Sequence, residues 1–151
     1  MGNKALIIDS DLALEEKVMA LLVCTAQEMT AKMQRNIKPM NLSLLQVQIL
    51  HVLSKSVDGA GEGIGEGRLT VNQIKALMVD ESPNVSRSLN KLMEHGYITK
   101  ERDIEDQRVV HIAITPAGEQ AHEDADKELL KVSLGLSRAD CYSLYALLSK
   151  I

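Results

Sequence analysis

Phenylalanine and tryptophan are absent from the 151 residues, and tyrosine occurs three times. Any core must therefore be aliphatic. The same shortage argues against single-strand and RNA binding, where bases stack on aromatic platforms. Cysteine occurs twice, at Cys24 and Cys141, in no ligand-like spacing. With no signal-peptide pattern, this points to a reducing cytoplasm. The longest apolar run, Val18 to Cys24, is far too short to span a membrane. The opening Met1-Gly2-Asn3-Lys4-Ala5-Leu6 lacks the Ser or Thr that myristoylation needs, so no membrane partner is expected. No nucleophile elbow, His-Glu-x-x-His pair or phosphate loop occurs, so neither an enzyme nor a cofactor is expected.

An excess of positive charge is also missing: the formal net charge is −4. Its distribution matters more than its sum. Residues 1–67 carry six basic and eight acidic groups, residues 68–111 seven of each, and residues 112–151 four and six. The middle is neutral between acidic flanks, so a nucleic-acid surface would be a local arrangement rather than a global field.

What is present is a succession of amphipathic segments. Residues 11–36 read as a long helix, with Leu14, Val18, Leu21, Leu22, Met29 and Met33 at helical spacing and Met19, Ala20 and Val23 on other faces. A helix apolar around so much of its girth is buried on more than one side, in a core or against a partner chain. Pro39 ends it. Ser43-Leu44-Leu45-Gln46 is a capping box, with Leu42 and Val47 placed as a hydrophobic staple. It opens a core helix carrying Leu45, Ile49, Leu50, Val52 and Leu53. Five of the nine glycines then fall between Ser56 and Arg68, which reads as a surface loop.

Thr70-Val71-Asn72-Gln73 repeats the capping box, with Leu69 and Ile74 as staple. Val71, Ile74, Leu77 and Met78 form that helix's apolar stripe. The next helix takes Ser82 as N-cap and Pro83 at its first position. It turns Val85, Leu89, Leu92 and Met93 inward and ends at Gly96, a left-handed cap. Its opposite face carries Arg87, Asn90, Lys91 and Glu94, with Asn84 at the edge and Ser86 on the flank. Two short helices joined by a tight turn, the second polar on its outer face, match a helix-turn-helix. Tyr97–Arg102 and Val109–Ile114 read as a β-hairpin, or wing, around a polar turn. Asp106 and Arg108, two apart there, place a carboxylate where it can hold the guanidinium of Arg108 or of Arg102. Thr115 and Pro116 start a helix running to about Val132, Gly135 breaks it, and Ser137 starts a last helix striped with Cys141, Leu144, Tyr145 and Leu148.

This order resembles the MarR (multiple antibiotic resistance regulator) family. The resemblance rests on Leu69-Thr70 with Gln73-Ile74, on Val85-Ser86-Arg87 with Leu92 and Gly96-Tyr97-Ile98, and above all on the wing signature. That signature runs through Asp106-Gln107-Arg108 and then Ile114-Thr115-Pro116-Ala117-Gly118, with Ile114 where the family has Leu. It covers about residues 69–120 firmly and the rest by helix pattern.

The expected fold is mainly α with a small β-hairpin wing. A winged helix-turn-helix over 43–114 would be flanked by dimerisation helices at 11–36 and 116–151, all in one domain. The resemblance implies a homodimer on a pseudo-palindromic duplex, regulating transcription. Many relatives release DNA when a small phenolic or lipophilic molecule, an oxidant or a metal binds. A repressor released by a small-molecule effector is expected here. The residues expected at the DNA are Asn84, Ser86, Arg87, Asn90, Lys91, Arg102, Asp106 and Arg108. The effector pocket is expected between the dimerisation helices and the helix-turn-helix, lined by Met29, Met33, Ile49 and Val52. Two features depart from the family: the glycine-rich loop is long, and the recognition segment is less basic than in many relatives.

Three other readings compete. Cys24 as a redox sensor lacks a neighbouring cation to activate it, so both cysteines are expected to be core thiols. His51, His95, His111 and His122 suggest zinc, and His122 and Asp126 are spaced as two ligands on one helix face. Without a second paired motif they are taken as surface polar residues, with no metal expected. The acidic balance keeps open a winged-helix interaction protein that has lost DNA binding.

Overall fold

A computed structural model describes residues 2–57, 67–78 and 84–151. The chain forms two compact units, one of residues 1–33 with Leu130–Ile151 and one of Gln34–Leu129.

The first unit holds α1 (Gly2–Ile8), most of α2 (Leu14–Ile37) and α7 (Arg138–Leu148). The helix α1 was not expected from the sequence. It is fastened to α2 by Lys4 Nζ donating to Glu28 Oε2 at 2.7 Å, which lowers the Glu28 carboxyl below its ordinary range. The α7 N-cap is Ser137, as expected: its hydroxyl accepts from the Asp140 N–H at 3.1 Å. Large apolar side chains stay exposed on both long helices, among them Leu14, Val18 and Met19 on α2 and Tyr142, Tyr145 and Leu147 on α7. Cys24 is half-buried and Cys141 exposed, so neither is the buried core thiol expected.

The second unit is organised around α3 (Leu44–Val57). The Ser43 capping box forms: Gln46 N–H donates to Ser43 Oγ at 3.2 Å and Ser43 N–H to Gln46 Oε1 at 2.8 Å. Gln34 adds a second clasp, its amide donating to Leu42 O and accepting from Leu44 N–H. Ile49, Leu50 and Leu53 of α3 are fully buried together with Ile37, Leu69, Ile74, Leu89, Leu92 and Ile112. This aliphatic cluster supplies the burial that aromatic residues would otherwise provide.

Three strands, not two, make the sheet: β1 (Arg68–Thr70), β2 (Ile98–Arg102) and β3 (Val110–Ile114), antiparallel in the order β1-β3-β2. Leu69 pairs with Ile112, which pairs with Lys100. Three residues are too few for alternation to show, which is why β1 escapes sequence reading. The helix α6 (Pro116–Leu129) stops short of Val132. Asn36 donates to the Glu128 carbonyl at 3.0 Å, satisfying one of the acceptors that a helix C-terminus leaves open.

Candidate nucleic-acid interface

The helix pair lies in the second unit as α4 (Val71–Leu77) and α5 (Asn84–Glu94). The Thr70 capping box is present in both directions. Met78, four residues beyond Ile74, enters the core, while Leu77 stays half exposed, correcting the expected stripe. Most of the glycine-rich segment, and the proposed Ser82 cap with Pro83, lie outside the described residues.

On α5 the inward face is Val85, Ser88, Leu89 and Leu92, all buried. That i, i+3, i+4, i+7 set closes the helix against the core. Ser88 takes an interior place, and Met93 falls at the margin and is exposed, where the sequence had placed it inside. The helix ends in a Schellman cap: Tyr97 N–H donates to Leu92 O and Gly96 N–H to Met93 O, with Gly96 at φ +73°. The outer face is then fixed. Asn84, Ser86, Arg87, Asn90 and Lys91 are all exposed on it.

The hairpin joins this face through Lys100, which sequence reasoning missed. Ile98, Lys100 and Arg102 occupy one side of β2, two residues apart. Ile98 is buried, Lys100 half-buried and Arg102 exposed, so the strand leaves the core toward the wing tip. Lys100 Nζ donates to Asn90 Oδ1 at 2.7 Å, linking recognition helix and wing and leaving the Asn90 NH2 as its donor. Alternation from Ile98 was the available signal.

The wing tip differs from expectation. Among the described residues no ion pair joins Asp106 to Arg102 or Arg108. Asp106 Oδ1 instead accepts from the Arg108 backbone N–H at 3.0 Å. Arg102 makes a long 3.4 Å contact to the Gln107 carbonyl. The side chains of Arg102 and Arg108 are exposed. The organising carboxylate is Asp103. Its Oδ1 accepts from the Glu105 and Asp106 N–H groups at 2.8 and 3.1 Å, and its Oδ2 lies 3.0 Å from His111 Nε2. The Asp106 N–H above all, then His111 and the Glu105 N–H, pull the Asp103 carboxyl from 3.8 down to about 2.

A depressed acid stabilises the fold fully above its ordinary value, and that contribution is lost as pH falls through the folded one. The wing turn is therefore expected to loosen between about pH 3.8 and about 2. The Glu105 and Asp106 amide resonances should titrate with a midpoint near 2, and Asp103→Asn should remove that step. A midpoint at an ordinary aspartate value would contradict the turn as described.

Of the effector candidates, Met29 and Met33 are half-buried on α2, Val52 is half-buried on α3, and Ile49 has no exposed surface. No helix among the described residues is long and apolar enough to cross a membrane.

The family model "Transcriptional regulator SarA/Rot" matches residues 24–125, about two-thirds of the chain. No protein of curated function matches. Several solved structures are similar in fold. Bordetella bronchiseptica BpsR, whose DNA binding is regulated by 6-hydroxynicotinic acid, is 21% identical with a TM-score of 0.71, covering 93% of this chain and 96% of its own. Wild-type apo MarR from E. coli is 16% identical, TM-score 0.71, covering 93% and 98%. A MarR-like regulator from Bacillus cereus is 18% identical, TM-score 0.76, covering 90% and 94%. At these identities the likeness carries the fold: the winged helix expected from sequence is the one observed.

Proposed function

Since the chain belongs to the SarA/Rot family of transcriptional regulators, we propose that it binds specific duplex DNA as a homodimer and represses transcription until a small molecule releases it. The observation that carries the DNA reading is α5: its apolar face is sealed in the core while Ser86, Arg87, Asn90 and Lys91 stand exposed. A helix presenting such a face beside a hairpin suits the major groove, with the wing reaching the backbone or minor groove. Asn84 stands at the N-terminal edge of that face, and Arg102 and Arg108 supply charge along the wing.

Selection of bound sequences from a random duplex library tests this, followed by mobility shifts at two salt concentrations. Affinity should fall steeply with salt, because cationic contacts release counterions. Absence of binding to any selected duplex at low salt would instead favour an interaction protein that has kept only the winged fold.

The dimer reading rests on the exposed apolar surface of α2 and α7. On α7, Tyr142, Tyr145 and Leu147 are 63%, 72% and 60% exposed, apolar surface on one short helix that a second copy of the chain would cover. Sedimentation at micromolar concentration should give twice the chain mass, and Tyr145→Lys should shift it toward monomer. A monomeric parent would overturn this reading.

Effector release is supported by BpsR, whose DNA binding answers to an aromatic hydroxy acid. Met29, Met33 and Val52 retain surface that a ligand could reach, and Ile49 does not. Phenolic acids that neither raise the melting temperature nor weaken operator binding would remove them as candidates.

A further inference from the structure

A cluster of metal-ligating side chains lies on the seam between α3 and α6, using no residue of the proposed DNA face. His51 comes from α3, and His122 and Asp126 come from successive turns of α6. His51 Nδ1 is 3.0 Å from His122 Nε2, and that Nε2 is 3.3 Å from Asp126 Oδ2. The ligand atoms of all three residues fall within 4.8 Å of one another. The imidazole rings are tilted by 54°, with centroids 5.1 Å apart, so they are not stacked in parallel. His122 is 7% exposed, a correction to its expected place on the surface. His51 is exposed, and the Asp126 side chain is 46% exposed.

Hydrogen bonding serves this arrangement poorly. A neutral imidazole nitrogen carries at most one proton, yet Nε2 of His122 faces both a second imidazole nitrogen and a carboxylate oxygen. One cation would satisfy all three lone pairs at once. The spacing suits it: with bonds of about 2.0–2.1 Å, ligand atoms around a tetrahedral zinc sit about 3.3 Å apart. The 3.0 and 3.3 Å separations are close to that. The exposure of Asp126 leaves its carboxylate room to rotate onto an ion. One turn along the same seam, Ser54 donates to Glu119 Oε2 at 2.7 Å. That bond braces α3 against α6 and holds the helix spacing the ligands require.

We propose that His51, His122 and Asp126 form a binding site for a divalent first-row transition metal, zinc foremost. Two imidazoles and one carboxylate suit zinc and its neighbours, whereas calcium and magnesium favour all-oxygen sets. Three protein ligands leave a fourth position open toward solvent, which is also the path of access. The ion would pin α6 to α3, so it should stabilise the fold in proportion to its occupancy.

The test titrates the untagged full chain with Co2+ and then Zn2+. The expected result is one equivalent of Co2+ per chain, with visible bands of nitrogen and oxygen ligation that Zn2+ abolishes. Zn2+ should raise the melting temperature. His51→Gln and Asp126→Asn alter exposed or half-exposed side chains, so both should fold and melt like the parent without metal. Each should weaken metal binding at least about tenfold and lose the zinc-dependent rise. Absence of saturable binding overturns the proposal, as does binding unchanged in both variants. A sulfur-to-cobalt charge-transfer band would also overturn it, placing the metal on Cys24 or Cys141 instead.

Discussion

Gly118→Ala is expected to destabilise the protein by about 1–3 kcal/mol, the usual cost of forcing atoms into a closed-packed site. A Cβ at position 118 would run into the Tyr97 carbonyl oxygen and lie 2.8 Å from Ile114 Cγ1. Neither neighbour yields easily. The Tyr97 carbonyl accepts from the Thr115 N–H at 3.0 Å, and Tyr97 follows the Gly96 cap that ends α5. Thr115 ties the other side: its hydroxyl donates to Gly96 O at 2.7 Å and accepts from the Gly118 N–H at 3.1 Å. The first turn of α6 thus rests directly on the backbone that leaves the recognition helix. Thermal or urea unfolding of Gly118→Ala checks this, with Ala117→Gly as an exposed control that should cost no more than about 1 kcal/mol. A Gly118→Ala protein that melts with the parent would mean the approach is looser than described. If the loss is seen, Thr115 and Gly118 act in packing, so this half of the wing signature positions α5 rather than touching DNA.

Both capping boxes were legible in the sequence, because a hydroxyl and an amide three residues apart solve a purely local problem. Gly96 was legible for the same reason: a left-handed cap needs glycine whatever surrounds it. The outer face of α5 followed from helical period alone. What stayed hidden depends on contacts between distant segments. The strand β1 forms because β3 pairs with it. His122 is buried because α3 lies against α6, and it meets His51 across 71 positions. Lys100 matters through Asn90, ten residues away on another element. At the wing tip the spacing of Asp106 and Arg108 suggested an ion pair, but the short aspartate side chain closes on the nearby backbone N–H instead, as turn aspartates commonly do. Asp103, at the mouth of the hairpin, then takes the organising role.

Two of the three arginines expected at the DNA, Arg87 and Arg108, are held differently. Arg87 stands on a helix whose inner face is fully packed, so its Cα is held in place and its side chain starts from a defined position. Such a residue suits base-edge reading, for which arginine's fork is shaped. Arg87→Ala is expected to weaken binding to the selected operator by about 1–3 kcal/mol and to flatten sequence preference at the positions it reads. Arg108 is anchored differently. Asp106 fixes its backbone N–H, while nothing among the described residues pins its guanidinium. A charge on a long exposed arm suits phosphate or a narrow minor groove, where negative potential rather than base identity attracts it. Arg108→Ala should therefore lower affinity by a similar fold for preferred and scrambled duplexes and reduce the salt slope by about one. Both side chains are exposed, so neither change should alter stability by more than about 0.5 kcal/mol. Binding of each variant to selected and scrambled duplexes across a salt series separates the two roles. Loss of stability with unchanged affinity in Arg108→Ala would show that it ties the wing to the body. Unchanged preference in Arg87→Ala would move base reading to Asn84, Ser86 or Asn90, the uncharged polar side chains on the exposed face of α5.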